Sequence, residues 1–89
     1  MITIAQLAEI SSKIKLLGVS ESSLPQLRQA FPDIHFTYCM DDDISGYQPA
    51  LTETDFNLYL IDGREHCLSL TNHHDIATGI VIAERVGEE

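Results

Sequence analysis

The chain has 89 residues, 44% of them hydrophobic, with 14 acidic against 5 basic side chains and a formal charge of −9. So short a chain builds one core and one domain, 1–89, because compact domains usually run to about 100–150 residues. The charge argues against nucleic acid and anionic membranes as partners, since both demand clustered Lys or Arg.

The opening MITIAQLAEI lacks the basic start and continuous apolar run of a secretory signal. Nowhere do about 18 apolar residues run together as a bilayer span would require. A soluble, cytoplasmic protein is the expectation. Cys39 and Cys67 form no CxxC pair or disulfide framework, so they read as two thiols, partly or wholly buried.

Thr3 with Gln6 fits a capping box, and Leu7, Ile10, Ile14 and Leu17 follow at helical spacing up to Gly18. A first helix over Ile4 to Leu17 is expected. Ser23 with Gln26 suggests a second box and a shorter helix, with Leu24, Leu27 and Phe31 on one side and Pro32 ending it. After Pro32 the period becomes two. Ile34, Phe36, Tyr38 and Met40 alternate with His35, Thr37 and Cys39, as in a strand with one buried face. Residues 44–54, with Gly46 and Pro49, read as a loop. FNLYLI (56–61) and HCLSLT (66–71) predict two strands around Asp62-Gly63, and GIVIAERV from Gly79 a fourth. The NHHDIAT segment before Gly79 has room for one helical turn.

A two-residue Asp-Gly turn would put Leu68 and Leu70 on the face of Asn57 and Tyr59. One extra residue puts them with Phe56, Leu58 and Leu60 instead. That second register is preferred, because each large apolar side chain fully buried contributes about 1.5–3 kcal/mol. The expected fold is therefore α+β: two N-terminal helices on one face of a four-stranded, mostly antiparallel sheet. Two helices about 10 Å across cover one side of a sheet roughly 20 Å wide and leave the reverse bare. On that reverse lie Tyr59, Ile61, Cys67 and Val81, a half-apolar surface suited to self-association or a protein partner.

The stretch HFTYCMDDDISG concentrates metal-ligand residue types. On a strand His35 and Cys39 share a face but stand roughly 13 Å apart, too far to chelate one ion between them. A cross-strand site joining His35, Cys39 and Cys67 is the metal candidate that survives. Asp41, Asp43, Ser45 and Gly46 match the first offsets of a calcium loop, but Thr52 stands where its last ligand belongs and the incoming element is a strand. An acidic turn is the simpler reading. His73, His74 and Asp75 diverge as neighbours do and read as part of a capped turn. No phosphate loop, nucleophile elbow or HExxH is present, and Cys67 lacks a polarising setting for catalysis.

With HFTYCMDDD, FNLYLIDG, HCLSLT and ATGIVIAE in view, the chain resembles a small family of uncharacterised bacterial proteins described only as a domain of unknown function. The resemblance runs from LPQLRQAFPD to the last strand. It implies no catalytic residue, since the family has no assigned activity to carry over to His35, Cys39, Asp41 or Cys67. It also suggests an association with nitrogen-fixation genes, and hence an accessory role in metal-cofactor assembly that ligand spacing does not independently support. Two expectations follow. The first is a non-enzymatic interaction domain without a cofactor, self-associating as a homodimer through its sheet, with Tyr59, Ile61, Val81, Asp41 and Asp43 as binding residues. The second is a metal-handling accessory protein using His35, Cys39 and Cys67.

Overall fold

A computed structural model of the protein describes residues 1–44, 46–63 and 69–85. Helix α1 spans Ile4–Leu17. Its entrance is the capping box read from the sequence: the Thr3 hydroxyl accepts from the Gln6 N–H at 3.1 Å, and Gln6 Oε1 accepts from the Thr3 N–H at 2.9 Å. Gly18, at φ +96°, closes the last turn by donating its N–H to the Ile14 carbonyl. Helix α2 spans Leu24–Ala30 and carries Pro25 in its first turn. The second capping box does not form. A 3₁₀ turn over Glu21–Ser23 makes Ser23 itself helical, and its hydroxyl donates instead to the Gly18 carbonyl at 2.7 Å.

Five strands follow: β1 (His35–Met40), β2 (Leu51–Thr52), β3 (Phe56–Asp62), β4 (Ser69–Thr71) and β5 (Gly79–Glu84). They form one mixed sheet in the order β1-β5-β3-β2, with β4 also beside β3. The expected four-stranded, mostly antiparallel sheet is corrected in two ways. β5 inserts between β3 and β1, and runs parallel to β1. The sequence holds the reason: GIVIA is buried throughout, as suits a central strand covered on both faces. The added strand, β2, lies in the segment read as a loop, where Glu53 N–H donates to the Phe56 carbonyl across a tight turn.

The even-numbered residues of β1, β3 and β5 face the helices. Phe36, Phe56, Leu58, Leu60, Ile80 and Ile82 pack there with Leu7, Ile10, Ile14, Leu24 and Leu27 into the main core. At the β1–β5 contact, Gly79 is a steric requirement. A Cβ there would stand 2.5 Å from the His35 carbonyl oxygen and 2.8 Å from its Cβ.

The leucine register is also corrected. Leu70 pairs with Ile61, not with the Leu60 face, and packs against Tyr59, Ile61, Val81 and Ala83. Asp62 pairs with Ser69 and Ile61 with Leu70, so Ile61 is not paired across a two-residue Asp62-Gly63 turn. Leu68 lies outside the described residues. The reverse face takes Leu70 because it is itself a small core. That face is not bare: Tyr59 is 5% exposed, Ile61 2%, Val81 7% and Ala83 0%. Topology explains the cover. The chain leaves β1 at one edge and must reach β2 beyond β3, so its connector passes over this side, where Ile44 packs on the cluster.

Candidate interaction site

Among the described residues β1 stands at an edge of the sheet, paired with β5 alone. The His35 N–H donates to the Thr78 carbonyl at 3.1 Å, so odd-numbered β1 residues turn their backbone groups toward β5. By alternation, Phe36, Tyr38 and Met40 turn theirs outward. One cover is provided. Arg28, on α2, donates from Nη2 to the Phe36 carbonyl at 3.2 Å. The outward N–H and C=O of Tyr38 and the N–H of Met40 face a side where no strand stands among the described residues. β1 also lacks the usual defences of an edge, having no Lys, no Pro and no bulge against β5. The opposite edge differs, since it is divided between β2 and β4, of two and three residues.

The side chains around this edge lean inward. The Tyr38 hydroxyl donates to the Glu84 carboxylate on β5 and lies 3.7 Å from Met40 Sδ. That hydrogen bond, with burial and the Glu84 charge adding to it, pushes the Tyr38 phenol up to about 12. At the far end of β1 one oxygen of Asp41 accepts twice, from Asn57 Nδ2 and from the Tyr59 hydroxyl, each at 3.0 Å. Burial first, and then the Asp41 hydrogen bond, push the Tyr59 phenol up as well. A carboxylate only accepts, so it fixes the Asn57 amide with its NH₂ toward Asp41. Asn57 Oδ1 is left buried and without a hydrogen-bond partner among the described residues.

Of the residues singled out from sequence, Tyr59, Ile61 and Val81 come together, but beneath the connector and not on the surface. Asp41 joins them as the polar pin. The Asp43 side chain and Cys67 lie outside the described residues. His35 is exposed near the start of β1, while Cys39, at the other end, is half-buried against the reverse-face cluster. Among the described residues no group of three or more His, Cys, Asp or Glu side chains stands close enough to hold a metal ion. His74 is a structural tether: its Nδ1 lies 2.9 Å from the Ile2 carbonyl, and its own carbonyl accepts from the Ile2 N–H. Sequence reasoning missed Arg28, whose role depends on α2 lying beside β1. It also missed the edge position of β1, which no periodicity encodes.

These features define a small α+β domain in which β1 forms an edge of the sheet among the described residues. A family model matches residues 5–85, and the chain belongs to that family, DUF6129, a family of unknown function. No curated protein and no solved structure matches the chain. Among the described residues no helix is long and apolar enough to cross a membrane.

Proposed function

We propose that this protein is a non-enzymatic interaction domain that self-associates through its sheet, at the free edge of β1. The supporting observation is the outward-facing, undefended backbone of Tyr38 and Met40 on a six-residue edge strand. An added strand completes those hydrogen bonds without disturbing the core, which is how extended segments dock on exposed sheet edges. Tyr59, Ile61 and Val81 act from behind, holding β3 and β5 flat under the connector so that β1 is presented in a fixed position.

Met40→Pro tests the reading. Met40 sits at φ −86°, close to the proline range, and its N–H points away from β5, so the substitution leaves the internal ladder intact. An edge contact of this length falls at the small end of interface sizes, so association is concentration-dependent. Light scattering behind a sizing column, at physiological salt and rising protein concentration, should show a dimer for the native chain and a monomer for Met40→Pro. A native chain that stays monomeric up to about 1 mM, where a dimer would be held by only about 4 kcal/mol, overturns it.

A further inference from the structure

We infer that the strand added at this edge is β1 of a second copy, running antiparallel, with Tyr38 facing Tyr38 across a two-fold axis. The inference rests on the reading just given and specifies its geometry.

Orientation follows from charge. The start of β1 is flanked by Arg28, with Asp33 two residues ahead of the strand, and its end runs into Asp41 and Asp42. A parallel partner would set acid beside acid. An antiparallel copy moves Asp41 and Asp42 of each strand away from their counterparts and toward the Arg28 end of the other, an opposite-sign match within a chain whose overall charge is −9.

Register follows from the hydrogen-bonding groups. In a symmetric antiparallel pair, outward-facing residues must meet outward-facing residues, so the axis passes through a residue and not between two. With the axis at Thr37, every new bond of the strand centre would involve Phe36, whose carbonyl already accepts from Arg28. With the axis at Tyr38, the two central bonds join Tyr38 N–H to Tyr38 C=O in both directions. Phe36 then lies opposite Met40, its carbonyl taking the Met40 N–H on the lone pair that Arg28 leaves open, and His35 lies opposite Asp41. The Tyr38 ring is no obstacle, since its hydroxyl is drawn back over β5 to Glu84. The two sheets become one continuous ten-stranded sheet.

This register makes Thr37 of one copy and Cys39 of the other a non-hydrogen-bonded cross-strand pair, with Cα atoms about 4.5 Å apart, inside the range a disulfide spans. The experiment uses the full chain with Cys67→Ser as background. Adding Thr37→Cys should yield a disulfide-linked dimer on mild oxidation. Neither Cys67→Ser alone nor Thr37→Cys/Cys39→Ser/Cys67→Ser should cross-link. Light scattering under reducing conditions on each preparation reports whether it folds into a dimer at all. A reduced dimer that does not cross-link through Thr37→Cys and Cys39 overturns the register while leaving self-association standing. Cross-linking of the chain that lacks Cys39 does the same. Monomers throughout overturn both.

Discussion

Asp41 ties the end of β1 to the reverse face of the sheet. With one oxygen it satisfies two donors, the Asn57 amide and the Tyr59 hydroxyl, that would otherwise be buried unpaired. Asp41→Ala should therefore cost about 1–3 kcal/mol for each donor it orphans, read as a lower urea midpoint. Tyr59→Phe, which removes donor and desolvation together, should cost less. An Asp41→Ala chain as stable as the native one would show that the pin holds nothing. Tyr38 carries a pH signature. Its folded pKa, raised from 10.0 to about 12 by the Glu84 hydrogen bond, means that the fold favours the neutral phenol. That stabilisation is complete below pH 10 and is lost as the pH rises toward 12. The stability gap between the native chain and Tyr38→Phe, measured by denaturant titration, should be constant from pH 7 to 9 and shrink above pH 10. A gap independent of pH would contradict the hydrogen bond.

At the level of elements, local chemistry was legible and pairing was not. Thr3 and Gln6 announced α1 because a capping box is a contact between near neighbours in sequence. The alternation from Ile34 to Met40 announced β1 for the same reason. Ser23 carried the same local signal and misled, because a preceding 3₁₀ turn took it out of cap geometry. Leu70 misled as well, since grouping all the leucines assumed a single core while the reverse face holds a second one. The parallel pairing of β1 with β5 leaves its trace at Gly79, which has no room for a Cβ beside the His35 backbone. Gly79→Ala should push these strands apart, lowering stability by about 1–3 kcal/mol in the manner of an overpacked core, as thermal denaturation would show. An unchanged melting temperature would place β1 elsewhere.

For the whole molecule, topology sets what is open. The chain runs from β1 at one edge to β2 at the other, and after β1 Asp41 accepts from Tyr59 and Ile44 packs on the cluster of Tyr59, Ile61 and Val81. The surface expected from sequence to recruit partners is thus used by the protein on itself, and the openness moves to the β1 edge. Composition showed too few helices to cover both faces, but not that a connector would do the work, because Ile44 and Asp41 act through contacts distant in sequence. The most direct test of the edge is amide hydrogen exchange along β1 across a dilution series. Thr37 and Cys39, bonded to β5, serve as slow internal controls. The Tyr38 and Met40 amides should exchange slowly in concentrated protein and fast on dilution. Fast exchange of both at every concentration, with the controls still slow, would contradict association at this edge.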